Sequence, residues 1–280
     1  MSHNELVRIR KEYYNNEIVQ YEIVKCLKNR ELAIITSKEA DKKLHIRYLK
    51  AFTTTFFKGA MERFRIAENP HQNLYYSLSS LSQFPTFLYN MQLRKTTQEY
   101  IDFNNDYEKY IIAYDILFDL DNTNFEKAYA DTKELKLLLD NNKIAYNILM
   151  SGRKGFHIRI PYEFTHFDKF DVSYKDKIAM FIYLLKEIHS IESIDTSIID
   201  LKRIAKLPYS LVGDRIILPL SDKEFDNFKI EDIQYGNVNI NSLKQRGLLT
   251  RNHNQTPQEL KQNFKKFFEE YEFEDLSGVQ

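Results

Sequence analysis

The most regular pattern in the sequence lies between residues 113 and 160, and it constrains the fold more than any other segment. The apolar run AYDILFDLD is followed by the amphipathic segment NFEKAYADTKELKLLLDNN and a second apolar run, AYNILM. The segment SGRKG then leads into FHIRI, which ends at Pro161. Short apolar runs predict buried strands, and apolar residues three and four apart predict a helix. Because tight turns join antiparallel strands, the pattern predicts an α+β chain with an antiparallel sheet.

The segments before this pattern predict further helices and one strand. Apolar residues recur at helical spacing from Asn4 to about Arg30 and, less regularly, through residues 41–57. NLYYSLSSL (residues 73–81) predicts a strand, and the polar, irregular residues 82–109 predict a loop or an internal boundary.

The C-terminal end predicts a closing helix over residues 257–273. Thr256 is a suitable N-cap, Pro257 suits the first turn, and Glu259 completes a capping box. We therefore expect three parts: an N-terminal helical and α/β module (1–108), a catalytic module (109–250) and a helical tail (251–280).

Composition limits the compartment and the partners. The 280 residues carry 40 basic and 40 acidic side chains, so any attraction to nucleic acid must be local. A single cysteine, Cys26, cannot build a disulfide framework or a cysteine-based zinc site, and no structural zinc is expected. No segment resembles a signal peptide or a membrane span. We expect a cytoplasmic or nucleoid-associated protein that is not secreted and has no membrane partner.

Two carboxylates end the first apolar run, FDLD. Side chains alternate along a strand, so Asp119 and Asp121 project to one face. Carboxylates held this close repel unless a cation lies between them, and oxygen ligands suit Mg²⁺ or Mn²⁺. In the alternative interpretation, one Asp caps the next helix and the other is solvated. Because residues 122–124 can supply that cap, Asp121 is not needed for it.

The letters FDLDNT also resemble the nucleophile loop of haloacid-dehalogenase-type phosphatases. In that family the first Asp is phosphorylated and the second is a general acid, and VGDR (residues 212–215) resembles its metal-binding loop. That loop expects another acid shortly afterwards, whereas residues 216–220 are all apolar or proline. The phosphatase interpretation is therefore the weaker one.

The segment LMSGRKGFHIRI predicts a hairpin suited to phosphate. Gly152 and Gly155 permit positive φ and a close approach of an anion to the backbone. A hydroxyl and cations beside a metal are the groups that bind phosphates. The alternative is a basic, solvent-exposed turn. The polar side chains of this segment are Ser151, Arg153, Lys154, His157 and Arg159.

A third carboxylate is expected if two metal ions are held. IDTSIIDLKRIAKL supplies Asp195 and Asp200. Asp200 directly precedes a local basic cluster formed by Lys202, Arg203 and Lys206. Either acid can instead cap a turn or pair with these cations.

In this order, the three motifs resemble the archaeo-eukaryotic primase superfamily, in particular the catalytic small subunit of archaeal-type DNA primases. The resemblance covers roughly residues 70–220. FDLD matches the paired metal aspartates, SGRKGFH matches the S-G-x-x-G-x-H nucleotide motif, and DLKRIAKLPYSL matches an Asp followed by a basic run and P-x-S-L. The resemblance assigns catalysis and metal binding to Asp119, Asp121 and Asp200, and nucleotide binding to Ser151, Arg153, Lys154, His157, Arg203, Lys206 and Ser210.

Two departures from the family pattern are visible. The family commonly has His-Gly-Lys after S-L, where this chain has Val212-Gly213-Asp214, and Arg215 is a candidate replacement for the lost cation. Many relatives also carry a cysteine-containing zinc module, which one cysteine cannot build.

The resemblance implies a primase catalytic core, with an N-terminal α/β module and an RNA-recognition-like antiparallel sheet carrying the active site in the cleft between them. It implies a DNA-templated nucleotidyltransferase that makes RNA or DNA primers in replication, with two Mg²⁺ or Mn²⁺ ions. The implied partners are single-stranded DNA, NTPs or dNTPs, and a primase large subunit or replicative helicase. Two alternatives remain open: a stand-alone primase-polymerase and a non-catalytic nucleic-acid-binding module. Candidates for a template groove are Arg63, Arg65 and Arg94.

Overall fold

The computed structural model describes residues 1–36, 45–51, 53–84, 98–152, 154–165, 167, 174–196, 200–246 and 255–271. Its helices are α1 (His3–Asn15), α2 (Glu17–Cys26), α3 (Thr54–Arg63), α4 (Gln98–Asn105), α5 (Phe125–Asn141), α6 (Tyr174–His189), α7 (Asp222–Asp226), α8 (Leu243–Arg246) and α9 (Pro257–Glu269). Its strands are β1 (Glu31–Thr36), β2 (His45–Lys50), β3 (Gln72–Ser77), β4 (Ser79–Leu81), β5 (Ile111–Tyr114), β6 (Ile116–Asp121), β7 (Asn147–Met150), β8 (Gly155–Ile160), β9 (Ile204–Lys206), β10 (Leu211–Val212) and β11 (Arg215–Ile216).

The chain divides into two compact units that are discontinuous in sequence. The first unit comprises Met1–Ile112, Leu149–Gly152 and Lys202–Leu249, and the second comprises Ala113–Ile148, Arg153–Leu201 and Thr250–Gln280. The division at residues 108 and 250 inferred from the sequence remains a prediction. Within the described ranges, no helix combines the length and apolar character needed to cross a membrane.

The first unit contains a four-stranded sheet in the order β2-β1-β3-β9, with each neighbouring pair antiparallel. The two β1 positions Leu32 and Ile34 and the β3 position Leu74 are fully buried. Arg10 of α1 is also buried, and its guanidinium donates to the carbonyls of Ile66 and Gln72. Burying this cation costs less because it is hydrogen-bonded.

The second unit contains β6, β8 and the start of β7 (Asn147 and Ile148), in the sheet order β6-β8-β7. β6 and β8 are antiparallel, with Phe118 opposite Ile158 and Leu120 opposite Phe156. These four side chains are fully buried, so one face of the pair belongs to the core. The α+β prediction is confirmed, as are the strands and the helix predicted between residues 113 and 160.

The C-terminal helix α9 packs on the core of the second unit. Thr256 and Glu259 form the predicted capping box, with the Glu259 amide 3.3 Å from Thr256 Oγ1. The ring centre of Phe264 lies 6.3 Å from the ring centre of Phe181 on α6 and 5.9 Å from that of Phe167. The apolar face of α9 is therefore used within the chain.

Three secondary-structure predictions were wrong in detail. The first helix breaks at Asn16, whose side chain accepts from the Ile18 amide and starts α2. In the segment predicted as helix over residues 41–57, β2 is a strand because it pairs with β1, and residues 41–44 and 52 lie outside the described residues. α4 forms inside the segment that we predicted to be irregular, residues 82–109.

Candidate active site

In the second unit, the polar face of β6 and β8 carries the two aspartates that the sequence singled out. Asp119 lies directly opposite His157, and His157 Nε2 is 3.4 Å from Asp119 Oδ1. Both side chains are largely buried: that of Asp119 is 19% exposed and that of His157 is 7% exposed. Asp121 lies on the same face, is exposed, and is opposite Gly155. The alternation that predicted a shared face therefore holds in the sheet.

Gly155 is required by a close approach of β6. A Cβ atom placed there would lie 1.8 Å from the carbonyl oxygen of Leu120 and 3.0 Å from Asp121 Oδ1. Both turn glycines permit positive φ, and it occurs at Gly152, with φ of 100°, and not at Gly155. The glycine at 155 serves strand contact instead of an unusual backbone conformation.

A segment that follows α6 pairs with strand β6 along the edge opposite β8, at Asp119 and Asp121. The Asp195 amide donates to the Asp119 carbonyl at 2.9 Å, and the Asp121 amide donates to the Ser193 carbonyl at 3.1 Å. Leu120 and Ile194 form the bridge between these bonds, and both are buried. Because neighbours of a bridge alternate faces, Asp195 is placed opposite Asp119 on its polar side.

Asp200, to which the sequence assigned the third carboxylate, belongs to the second unit. It is exposed, and its carbonyl accepts from the Tyr114 hydroxyl at 3.5 Å. Tyr114 ends β5 and precedes β6, whereas Asp119 and Asp121 lie towards the end of β6. Within the part of the chain that is described, no three His, Cys, Asp or Glu side chains form a group that could hold a metal ion. The assignment of Asp200 stays a prediction.

The remaining predicted nucleotide-binding residues belong partly to the first unit. Lys206 Nζ donates to the Tyr75 hydroxyl at 2.7 Å and lies 4.3 Å from its ring centre. Arg215 donates to the Gly152 carbonyl at 3.3 Å, and the buried Ser210 hydroxyl donates to Leu207 at 2.7 Å. The members of this set in the first unit are Ser151, Arg203, Lys206, Ser210 and Arg215.

Of the other predicted residues, Lys154 is exposed and directly precedes β8 in the second unit. Arg153 and the template candidate Arg94 lie outside the described residues. Of the other template candidates, Arg63 is exposed and Arg65 pairs with Glu68.

The departure at Val212 has a packing explanation in the first unit. Val212 is 7% exposed and forms an apolar cluster with Leu149 and Ile217. A Cβ atom added at Gly152 would lie 3.3 Å from the Val212 Cβ and 2.9 Å from Ile217 Cδ1. The position at which the primase family that the sequence resembles commonly has histidine is therefore a core position in this chain.

Sequence reasoning missed a buried acid on α5. Asp131 Oδ2 accepts from the Ser193 amide at 2.8 Å, and Lys127 lies 2.9 Å from Oδ1. Burial acts to raise the pKa of Asp131, but the hydrogen bonds from Ser193 and Lys127 outweigh it and hold the pKa below its ordinary value. The i,i+4 spacing of Lys127 and Asp131 is visible in the sequence, but no local pattern links Asp131 to Ser193, because those two residues belong to distant segments.

No protein-family model matches the chain, and no curated protein matches its sequence. Among solved structures, the polymerase domain of Mycobacterium tuberculosis ligase D in complex with DNA is similar at 12% identity and a TM-score of 0.50, covering 85% of this chain and 88% of that domain. The catalytic domain of primase RepB′ with initiator DNA is 8% identical with a TM-score of 0.41, covering 91% of this chain and 97% of that one. A second structure of primase RepB′ is 8% identical with a TM-score of 0.40, covering 89% and 65%. The chain has the α+β fold of primase-polymerase catalytic domains, and the likeness at this identity establishes the fold alone.

Proposed function

We propose that the protein is a DNA-templated nucleotidyltransferase that synthesises primers on single-stranded DNA. The observation that carries the proposal is the polar face of the second unit, where Asp119 lies opposite both His157 and Asp195. Clustered acids beside a histidine on a strand face are a departure from simple apolar packing, and such departures are expected at functional sites. The fold likeness favours a polymerase over the phosphatase alternative.

The residues on this face fit divalent cations by donor type. Asp119, Asp121 and Asp195 offer carboxylate oxygens, the ligands that Mg²⁺ and Mn²⁺ prefer. Like charges so close repel, so their oxygens are expected to converge when a cation offsets that repulsion. The cations would supply activation of a 3′-hydroxyl and neutralisation of the leaving pyrophosphate. Asp200 remains the alternative third ligand.

The chain's own residues orient these acids and the nucleotide. His157 restricts the Asp119 carboxylate by contact, because its Nε2 atom lies 3.4 Å from Asp119 Oδ1. By the resemblance, the Ser151 hydroxyl and backbone amides of the SGRKG turn would bind phosphate. Positive charge for a triphosphate would come from Lys154, Arg203 and Lys206. The resemblance adds Arg153 and Ser210 as nucleotide-binding residues, and Arg215 is the candidate replacement for the family's lost cation.

A DNA partner is supported by the solved polymerase domain, which was determined in complex with DNA. NTPs and dNTPs are both proposed substrates, and a large subunit or replicative helicase is a proposed partner. We place the chain in the wider primase-polymerase class, of which the archaeal small subunit is one type. The departure at Val212 does not favour a non-catalytic module, because that side chain is used in core packing.

The proposal is tested by incubating the folded chain with single-stranded DNA, labelled NTPs or dNTPs, and Mg²⁺ or Mn²⁺. We expect template-dependent products that disappear in Asp119→Asn. The matched control is Asp140→Asn, which alters an acid on α5 whose carboxylate accepts from Lys136 and Tyr146. Absence of product under every combination would refute the proposal, and product formation by Asp119→Asn would refute the metal assignment.

A further inference from the structure

The buried carboxylate of Asp131 contacts the segment that carries Asp195. Asp131 is 2% exposed and projects from α5. Its Oδ2 atom accepts from the Ser193 main-chain amide at 2.8 Å, and its Oδ1 atom lies 2.9 Å from Lys127 Nζ. Hydrogen bonds to an ionised carboxylate are about twice as strong as neutral ones, so this contact is a firm constraint on the Ser193 backbone.

Ser193 is in turn joined to the end of β6. Its carbonyl accepts from the Asp121 amide at 3.1 Å, and its hydroxyl accepts from Asn122 Nδ2 at 3.3 Å. Two residues later, the Asp195 amide donates to the Asp119 carbonyl at 2.9 Å. A displacement of Ser193 would therefore change the placement of Asp195 relative to both strand acids.

We propose that Asp131 is a positioning residue, which holds Ser193 so that Asp195 stands opposite Asp119 at the cation site. The inference rests on the proposed function for its chemical consequence, although the positioning itself is a property of the metal-free chain. The alternative is that Asp131 only joins α5 to the neighbouring segment. In that case its loss would lower stability and leave the cation site unaffected.

The lowered pKa of Asp131 supports this role, because the charged form that accepts from Ser193 is the favoured one. The contact with Lys127 is not sufficient to explain the arrangement. That lysine is on the same helix and partly exposed, and it touches the other carboxylate oxygen. The Oδ2 atom is directed at the main chain of residue 193.

The test uses the full chain and Mn²⁺ alone as the probe. Mn²⁺ affinity is measured by electron paramagnetic resonance without nucleotide, and amide hydrogen exchange is measured in the metal-free protein. Asp131→Ala is compared with Asp140→Ala, an acid on the same helix that also has a lysine partner. Asp131→Asn retains an oxygen acceptor for the Ser193 amide and serves as the rescue variant.

We expect roughly 10-fold weaker Mn²⁺ binding in Asp131→Ala, the usual scale for losing a group that orients a metal ligand. Exchange of the Asp195 and Asp121 amides should accelerate in that variant alone. Asp131→Asn should bind Mn²⁺ more tightly than Asp131→Ala, because it keeps an acceptor for the Ser193 amide, and Asp140→Ala should retain the wild-type affinity. Equal Mn²⁺ affinity in Asp131→Ala and Asp140→Ala would overturn the proposal.

Two further results are distinguishable. If Asp131→Ala does not fold, Asp131→Glu replaces it, because one added methylene displaces the carboxylate while keeping its charge. Weaker binding in Asp131→Glu than in Asp131→Asn then supports the inference, and equal binding overturns it. If the wild-type chain binds no Mn²⁺ and makes no product, the proposed function fails. The positioning role is overturned separately if amide hydrogen exchange at Asp195 is the same in Asp131→Ala as in the wild type.

Discussion

The main-chain amide of Asp195 donates a 2.9 Å hydrogen bond to the carbonyl of Asp119. This bond joins two acids that are far apart in the sequence and places them as neighbours across a strand edge. The same segment supplies the Ser193 carbonyl to the Asp121 amide. The spatial partner of the FDLD motif is therefore the start of the IDTSIIDLKR segment, five residues before the acid that the resemblance selected.

The pairing predicts which acid completes the cation site. Asp195→Asn should lower the rate of nucleotide addition roughly 100-fold or more. The cation would lose a carboxylate ligand, and the negative charge that develops on the phosphates in the transition state would then be less stabilised. Asp200→Asn should change the rate less than about threefold, well below that scale. Primer extension with each variant at saturating Mg²⁺ measures the difference. The reverse order of effects would restore Asp200 as the third ligand and remove Asp195.

Gly155 should tolerate no side chain. Gly155→Ala places a Cβ atom 1.8 Å from the Leu120 carbonyl oxygen, and neither backbone can move without breaking the β6–β8 pairing. We expect a loss of about 3 kcal/mol in the free energy of unfolding, at the upper end of ordinary overpacking. Urea unfolding measures it.

A matched glycine provides the control for that experiment. Gly59 lies inside α3, and a Cβ atom added there meets nothing within 4 Å. Gly59→Ala should therefore stabilise the protein by about 0.5–1 kcal/mol, since alanine loses less backbone entropy in a helix. Equal effects of the two substitutions would contradict the close approach at Gly155.

The tail helix should contribute to the stability of the second unit. Phe264 is fully buried, and its ring lies 5.7 Å from that of Phe268 and 6.3 Å from that of Phe181. Phe264→Ala should cost about 3–5 kcal/mol, the range for deleting a buried ring. Thermal and urea unfolding test this, with Gln262→Ala on the exposed side of α9 as the control. A loss below about 1 kcal/mol would show that the helix is not docked in solution.

The contact between Glu224 and Arg246 predicts an acid-dependent loss of stability in the first unit. Burial acts to raise the pKa of Glu224, but hydrogen bonds from Arg246 and Ser221 outweigh it and lower the pKa. A carboxylate whose folded pKa is depressed adds stability above its unfolded pKa, which is roughly 4.3. That contribution is lost as the pH falls through the folded pKa.

Urea unfolding of wild type and Glu224→Gln between pH 7 and pH 3 tests the sign. The wild type should be the more stable protein at pH 7, and the difference should shrink below about pH 4. The exposed Glu62→Gln serves as the control. A difference that grows towards acid pH would contradict the predicted direction.

Local pattern was sufficient for part of the fold. The strand-helix-strand order of residues 113–160 and the capping box at Thr256 were predicted correctly, because each depends on neighbours in the chain. The segment at His45–Lys50 was predicted to be helical but is a strand, since β2 pairs with β1. Pairing with a distant partner overrides intrinsic propensity, and a local window cannot contain that partner.

The same division applies to the candidate site. Alternation alone put Asp119 and Asp121 on one face, because side-chain direction follows from position along a strand. Residue type alone indicated that the SGRKGFH turn is suited to phosphate. Only the tertiary structure decided that His157 and Asp195 lie against Asp119, that Gly155 is needed for strand contact, and that Asp131 holds Ser193. These relationships depend on strand register and on packing between distant segments, which the order of residues in any one segment does not specify.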